Sequence, residues 1–263
     1  MHFLFVHAYF TLAFKYKLTF LPLVIRVEGG LGGQLLNIWL IEYLQGMGFR
    51  VIGDYTYFSS YRGQQSVSTW KWQANSFGYM LPKAQQYTLL KKVFSLRDTE
   101  LKFKHMLLAV RSRNMSYAMI DQDLLDSFEF LKIGDYLVIH QRQGDFLNVS
   151  SYIITDEVIM DQVSSLSTEY QTCLYLSDGM ISDKLKLFLS ERFNYLRIFD
   201  DNQVSPELSH LILQKANTAI ISNSQFSLSS GIFAKRTIFP PKWNGKKSWD
   251  DIFNSYVALH NEN

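Results

Sequence analysis

A short apolar run at residues 136–141 is followed directly by residue types that bind phosphate. His140, Arg142 and Asp145 lie at or just after the end of this run, which has the pattern of a covered strand. Ligands of open α/β sheets bind beyond the carboxyl ends of the strands, where Arg142 would project. A guanidinium held there can bind a phosphate through parallel N–H bonds. The alternative is an ordinary strand-to-loop transition with solvated polar residues.

A glycine-rich turn near the N-terminus is a second candidate for phosphate contact. Residues 28–33 read Glu-Gly-Gly-Leu-Gly-Gly and separate a predicted strand at 23–27 from a helix predicted to begin at Gln34. Such a turn lets the backbone approach an anion, which a helix N-terminus also favours. The spacing lacks the Gly-x-Gly-x-x-Gly pattern of dinucleotide sites, and Asp54 follows the next strand too early. The turn alone is a weak phosphate signal, and it fits equally a tight turn that needs positive φ.

The second half of the chain alternates strand patterns with helical patterns. Strands are predicted at 136–141, 172–176, 196–199, 218–221 and 237–239, with helices at 156–166, around 185–189, from Ser205-Pro206 and at 228–234. This order predicts a parallel, doubly wound α/β sheet. Polar residues follow the successive strands, namely Arg142, Asp178, Asp200 and Asn223-Ser224. Because the carboxyl ends of parallel strands lie at one edge of a sheet, we expect these side chains to converge on one crevice.

The remainder of the first half is polar and aromatic, and then helical. Residues 54–80 are predicted to be loops, in which Trp70 and Trp72 fit either a sugar-stacking surface or ordinary packing. Helical stretches are predicted around 89–94 and 107–110. A turn at 132–135 places the predicted boundary between two domains, 23–133 and 134–263.

Composition narrows the function classes. The net charge of +2 is too small to favour nucleic acid as a partner. Cys173 is the single cysteine, so a disulfide within the chain is impossible and a reducing compartment is favoured. The six histidines do not show the spacing of a zinc site, and no metal ligand set is predicted.

Residues 1–22 form an apolar N-terminal segment. Lys15 and Lys17 interrupt it, so the uninterrupted run is shorter than the roughly 20 residues of a membrane-spanning helix. It has no basic leader and no small-residue cleavage site, and a signal peptide is therefore not expected. Three interpretations stay open: contact with a membrane surface, packing on the protein's own core, or translation from an upstream start codon.

Three separated segments match the motifs of one family in the same order. Residues 27–34, Val-Glu-Gly-Gly-Leu-Gly-Gly-Gln, resemble the family loop Gly-Gly-Leu-Gly-Asn-Gln. Residues 140–145, His-Gln-Arg-Gln-Gly-Asp, resemble His-x-Arg-Arg-Gly-Asp. Residues 222–227, Ser-Asn-Ser-Gln-Phe-Ser, with Pro-Lys-Trp at 241–243, resemble Asn-Ser-Ser-Phe-Ser-Trp-Trp and its downstream Pro-Lys-x-Trp. The chain thus resembles bacterial α-1,2-fucosyltransferases of glycosyltransferase family 11.

The resemblance implies a GT-B-like fold, in which two Rossmann-like halves with parallel sheets face a cleft. Residues 23–133 would form the acceptor-side domain, and residues 134–263 the domain that binds the nucleotide sugar. The enzyme would transfer fucose from GDP-fucose with inversion to a galactoside-type acceptor, forming an α-1,2 linkage in surface polysaccharide or lipopolysaccharide O-antigen synthesis. Neither a metal nor another cofactor is implied. A cytoplasmic enzyme, peripheral on the inner membrane if residues 1–22 contact lipid, is expected.

The resemblance also implies roles for individual residues. Arg142 would hold the donor diphosphate and stabilise the departing GDP, and Gly30, Gly32 and Gln34 would face the same diphosphate. The nucleotide would be lined by Asp178, Asn223, Ser224, Phe226 and Ser227. His140 and Asp145 are candidates by position for the base that accepts the acceptor's hydroxyl proton, with Glu28 a weaker one. His140 has a structural alternative, a hydrogen-bonded histidine at a strand end. Asp145 has one as well, a turn carboxylate that holds Arg142 or backbone N–H groups.

The chain departs from the family pattern at several positions. Gln143 replaces the second arginine, and Gly33 replaces the loop asparagine. Leu228 and Ser229 stand where the family has two tryptophans, and Ser209 replaces a carboxylate usual on the preceding helix. Two alternatives therefore stay open beside fucosyl transfer: a related glycosyltransferase with another nucleotide sugar, and a non-catalytic protein that binds nucleotide or glycan.

Overall fold

In the computed structural model the chain divides into two compact units, unit 1 (residues 1–119) and unit 2 (residues 120–263). The structure describes residues 2–59, 71–82, 95–96, 100–111, 135–144, 152–167, 170–199, 203–242 and 248. The predicted domain boundary near residue 134 adjoins the segment 112–134, outside these ranges, and stays a prediction.

Unit 1 is built on a small parallel sheet in the order β2-β1-β3. Its strands are β1 (Leu23–Arg26), β2 (Val51–Asp54) and β3 (Ser95–Leu96), and its helices are α1 (His2–Lys15), α2 (Leu31–Gly46), α3 (Thr56–Ser59), a 3-10 turn (Ala74–Phe77) and α4 (Glu100–Arg111). The β1-α2-β2 segment confirms the predicted βαβ pattern. The prediction of loops over 54–80 was wrong where α3 and the 3-10 turn lie, and β3 was not predicted.

Helix α2 begins three residues earlier than predicted, at Leu31 rather than Gln34. Gly29 has φ +86°, so the turn does need positive φ, and Gly30 is the extended N-cap residue. The Gln34 N–H then donates to the Gly30 carbonyl oxygen at 2.9 Å, which places both following glycines within the first turn of the helix. Glycine is a poor helix former, and this hid the true start.

The N-terminal segment packs on unit 1. Phe10 and Ala13 on α1 are completely buried. The Phe14 ring stacks on His105 of α4 with centroids 3.9 Å apart and lies 5.1 Å from the Phe49 ring. These contacts support the second interpretation of residues 1–22, packing on the protein's own core, for the buried side of α1, and they leave contact of its exposed side with a membrane untested. Among the described residues, no helix has the length and apolarity needed to cross a membrane.

Unit 2 is a five-stranded parallel sheet in the order β6-β5-β4-β7-β8. The strands are β4 (Leu137–Gln141), β5 (Thr172–Ser177), β6 (Tyr195–Phe199), β7 (Thr218–Ile220) and β8 (Arg236–Ile238), and the helices are α5 (Asp156–Ser164), α6 (Asp183–Arg192), α7 (Pro206–Lys215) and α8 (Gln225–Gly231). The predicted α/β class with parallel sheets is confirmed. The strand order reverses at β4, whose neighbours are β5 and β7, so the sheet has its topological switch point there.

Local signals explain most helix starts in unit 2. Ser205 caps α7, accepting the Leu208 N–H at 3.2 Å, with Pro206 in the first turn as predicted. Helix α8 was predicted at 228–234 but begins at Gln225, because the Ser224 hydroxyl accepts the Ser227 N–H at 3.0 Å. A Cβ on Gly231 would overlap the Ile221 side chain, so the last turn of α8 approaches the end of β7 closely.

We predict that Phe10→Ala destabilises the protein by about 3–5 kcal/mol, because it leaves a cavity in a fully packed site. Urea denaturation followed by circular dichroism would measure the change. Leu12→Ala on the exposed side of the same helix is the matched control and should stay within about 0.5 kcal/mol of the wild type. Equal effects of the two substitutions would contradict the packing of α1 on unit 1.

Candidate active site

An ion pair joins the carboxyl ends of β4 and β5. Arg142 Nη1 lies 2.5 Å from Asp178 Oδ2, and the Gln143 backbone N–H donates to Asp178 Oδ1 at 2.6 Å. The side chains of Arg142 and Asp178 are 20% and 6% exposed. Both carboxylate oxygens are thus engaged, and the carboxylate fixes the guanidinium at the edge of the sheet. The structure therefore brings together Arg142 and Asp178, as predicted from their positions after neighbouring strands.

The loops that follow β4 and β5 approach each other closely at two glycines. A Cβ on Gly144 would overlap Asp178 Oδ2, and a Cβ on Gly179 would overlap Gln143 Oε1. The Ser177 hydroxyl accepts the Gly179 N–H at 3.0 Å and holds the second loop. The Gln143 side chain therefore lies against Gly179.

A histidine and three serines join the ends of β4 and β7. His140 Nδ1 lies 3.1 Å from Ser222 Oγ and 2.5 Å from Ser227 Oγ. The Ser227 hydroxyl also lies 2.7 Å from Ser222 Oγ and 2.9 Å from Ser224 Oγ, and Ser227 is completely buried. Ser222 is the member that sequence reasoning missed, although it directly precedes the recognised Asn223-Ser224 segment.

His140 is neutral at physiological pH. Burial, with a smaller contribution from the positive charge of Arg142, lowers the pKa of its imidazole to about 3. One ring nitrogen of a neutral imidazole is an acceptor and the other a donor, so Nδ1 can pair with hydroxyl groups in either tautomer. Arg142 therefore supplies a positive charge at this edge of the sheet, and His140 does not.

Phe226 lies between two buried histidines. Its ring centroid is 5.4 Å from that of His140 and 5.7 Å from that of His210, which meets it edge-on. His210 Nε2 lies 3.1 Å from Ser229 Oγ, and burial lowers the pKa of His210 to about 3. This contact joins α7, which carries His210, to α8, which carries Ser229.

Asn223 carries a buried polar atom without a partner. The residue is 4% exposed, and its Oδ1 has no hydrogen-bond partner among the described residues. A buried amide oxygen left unpaired costs free energy, so such atoms are rare unless a ligand or water satisfies them. Asn223 lies three residues after the end of β7, beside the switch point of the sheet, where ligands of this fold class bind.

A buried network of hydrogen bonds surrounds Gln141, the last residue of β4. Gln141 Nε2 donates to the Ile154 carbonyl oxygen at 2.8 Å, and the Tyr175 hydroxyl donates to Gln141 Oε1. Asp156 Oδ1 lies 3.3 Å from Gln141 Nε2, and its Oδ2 accepts from the Ser182 hydroxyl at 2.5 Å. Burial raises the pKa of Tyr175, so its phenol keeps its proton. Sequence reasoning did not single out Gln141, because one glutamine in a strand carries no readable partner.

The remaining predicted site residues lie in unit 1 or outside the described ranges. Gly30 and Gly32 lie at the start of α2. Gln34 is completely buried: its Nε2 donates to the Gly29 and Lys71 carbonyl oxygens, and its Oε1 accepts the Gln73 N–H at 2.8 Å. Its side chain therefore ties the glycine turn to the segment at 71–74. Asp145 and Asp200 lie outside the described residues, and Asp145 as a base stays a prediction.

Within the described ranges, no group of three or more His, Cys, Asp or Glu side chains could hold a metal ion. Asp178 and Asp156, the carboxylates nearest the strand ends described above, are each engaged by protein donors.

No protein-family model matches this sequence, and no curated protein sequence matches it. Solved structures with a related arrangement exist. The crystal structure of POFUT1 in complex with GDP aligns with a TM-score of 0.47 and 9% identity, covering 84% of this chain and 98% of that chain. NodZ α-1,6-fucosyltransferase co-crystallized with GDP aligns with a TM-score of 0.40 and 13% identity, covering 82% of this chain and 94% of that one. Similarities at this level establish neither family nor function.

Proposed function

We propose that this protein is an inverting glycosyltransferase that transfers fucose from GDP-fucose. The observation that carries the proposal is Arg142, which Asp178 holds at the topological switch point of a parallel sheet. By the resemblance of the three motifs to the fucosyltransferase family, this arginine would hold the donor diphosphate. Asn223 and Ser224, at the end of the neighbouring strand, would line the nucleotide.

The proposed chemistry needs a cation at the leaving group. As the bond between fucose and GDP breaks, negative charge grows on the β-phosphate, and a prepositioned guanidinium lowers the barrier. Its planar fork can hold two phosphate oxygens through parallel N–H bonds, a fixed geometry that an ammonium lacks. The ion pair with Asp178 fixes the fork before the donor arrives, so the guanidinium needs little reorganisation during the reaction. In this proposal Asp178 acts mainly by positioning Arg142, and its contact with the nucleotide is secondary.

His140 is better suited to positioning than to proton transfer. A general base works best when its pKa lies near the operating pH, whereas the pKa of His140 is about 3. Its Nδ1 contacts with Ser222 and Ser227 hold the segment that follows β7 against β4. Ser227, which is fully buried, would contribute to the same framework. Asp145 remains the candidate base.

The acceptor side of the proposal rests on the family resemblance. The enzyme would form an α-1,2 linkage to a galactoside in surface polysaccharide or lipopolysaccharide O-antigen synthesis. It would use no metal, and it would work in the cytoplasm and at the inner membrane.

The proposal predicts that GDP-fucose is hydrolysed or transferred in the presence of EDTA, and that GDP raises the melting temperature of the protein. Nucleotide release measured across GDP-fucose, UDP-sugars and ADP-sugars would identify the donor. Turnover of a uridine or adenosine donor instead would support a related glycosyltransferase. Binding of GDP without turnover of any donor would indicate a non-catalytic protein. Loss of activity in EDTA that Mg²⁺ or Mn²⁺ restores would refute the metal-free mechanism.

We expect Arg142→Ala to lower turnover by about 10²–10³, which is the usual loss when one preorganised partner of a developing anion is removed. Arg142→Lys should recover activity only in part, because an ammonium lacks the planar fork. Gln143→Arg, which adds the family's second cation, should tighten GDP binding or leave it unchanged. Initial rates of fucose transfer and calorimetry with GDP would measure these effects.

Arg192→Ala is the matched control for Arg142→Ala. Arg192 is an exposed arginine in the last turn of α6, away from the strand ends that carry the site. It should keep the wild-type rate. Wild-type transfer by a folded Arg142→Ala protein would show that this chain does not use the family's chemistry.

His140→Asn tests whether His140 stays neutral, since it keeps a polar atom near Nδ1 and removes the titratable ring. The folded pKa of about 3 lies below the unfolded value of about 6.5. The unfolded chain therefore binds the proton first, and the stabilisation is complete above the unfolded pKa and is lost as pH falls toward the folded one. Between about pH 7 and about pH 5, the wild type should lose about 2 kcal/mol more unfolding free energy than the variant. Urea denaturation at the two pH values measures this, and equal losses would show that His140 titrates normally.

A further inference from the structure

Unit 1 exposes large apolar side chains where α1 ends. Leu12 is 50% exposed, Tyr16 59% and Phe20 71%, and Met47 at the end of α2 is 46% exposed. Tyr16 follows Leu12 by one helical turn, its N–H donating to the Leu12 carbonyl oxygen at 3.0 Å. Leu12 lies on α1, as the buried Phe10 and Ala13 do, and Tyr16 and Phe20 follow the end of that helix.

Three exposed cations lie in or beside the same stretch of chain. Lys15 and Lys17 are exposed at the end of α1, where Lys17 has φ +49° and the chain turns. The Arg50 N–H donates to the Thr19 carbonyl oxygen at 3.2 Å, so the exposed Arg50 lies beside the segment that carries Phe20. We call this surface the α1 face, and it consists of Leu12, Lys15, Tyr16, Lys17, Phe20, Met47 and Arg50.

The charged residues of the N-terminal segment are all basic, apart from its histidines. Residues 1–27 contain no Asp or Glu, and the first acidic residue of the chain is Glu28. The net charge of the whole chain is only +2, so the cations of the α1 face are a local concentration rather than part of a generally basic surface. The exposed Leu187 on α6 differs in this respect, because Asp183 and Glu191 lie on the same helix.

We propose that the α1 face docks on the surface of an anionic phospholipid bilayer. Aromatic and aliphatic side chains beside Lys and Arg are the composition of segments that lie in the membrane interface. Cations near an anionic leaflet add electrostatic attraction, and the apolar side chains gain by leaving water for the headgroup boundary. The helix lies on the membrane and does not cross it, because its inner side is already packed on unit 1. This proposal does not depend on the donor, the acceptor or any catalytic activity.

Sedimentation of the full-length protein with vesicles tests the proposal without any substrate. Vesicles of phosphatidylcholine mixed with phosphatidylglycerol should bind the protein more tightly than vesicles of phosphatidylcholine alone, and high salt should reduce the difference. Replacing both Lys15 and Lys17 by Gln should weaken binding to the anionic vesicles about 30-fold, since one lysine near such a surface corresponds to about fivefold. Phe20→Ser should weaken binding to both kinds of vesicle.

The matched control is Lys186→Gln with Leu187→Ser, an exposed cation and an exposed apolar side chain on α6. It should bind anionic vesicles like the wild type, and thermal melting would show that all variants are folded. The proposal is overturned if the wild type does not prefer anionic vesicles, or if the control loses as much binding as the α1 variants. It is also overturned if light scattering shows a dimer that Phe20→Ser dissociates, because the face would then bind a second copy of the chain.

Discussion

The ion pair between Arg142 and Asp178 is the contact on which the site of unit 2 depends. It joins the ends of two neighbouring strands, and the same carboxylate also accepts the backbone N–H of Gln143. Removing one member of such a largely buried pair leaves an uncompensated charge, so neither side chain can change alone without cost. The glycines at 144 and 179 follow from this contact, since any side chain there would push the two loops apart.

The contacts described above between β4 and the segment after β7 involve neutral side chains only. His140 stays neutral because it is buried and because Arg142 is near. Its contacts with the serines after β7 satisfy polar groups that would otherwise be buried unpaired. The positively charged guanidinium of Arg142 therefore lies at the same edge of the sheet as a neutral polar group, His140 and the serines that contact it. An anion that meets the end of β4 would encounter the guanidinium of Arg142 in a place fixed by Asp178.

The positions of the strand ends can be predicted from the sequence, whereas the contacts between the side chains at those ends cannot. Apolar strands that end in polar residues are sufficient to predict a parallel sheet with Arg142 and Asp178 at one edge. The sequence cannot show that they bind each other, because a carboxylate after β5 is equally suited to contact a nucleotide. Ser224 is a local signal for the start of α8 at Gln225, because serine is a common N-cap residue. The small residues at 228–234 instead led to a predicted start at residue 228. The start of α2 also has a distant partner, because Gln73 Oε1 accepts the Leu31 N–H from 42 residues away, and no local pattern carries that information.

The strand order has a consequence for how this protein is made. β4 lies in the middle of its sheet, but His140 and Ser227 are 87 residues apart in the chain. Because a ribosome releases the chain from its N-terminus, β4 and β5 can pair and form the ion pair well before β7 and α8 have emerged. During that interval one edge of β4 has unpaired N–H and C=O groups, which other nascent chains can bind. A chain that ends before β7 would contain Arg142 and Asp178 but lack Ser222, Ser224 and Ser227, so translation sets the order in which the two sides of the site can form.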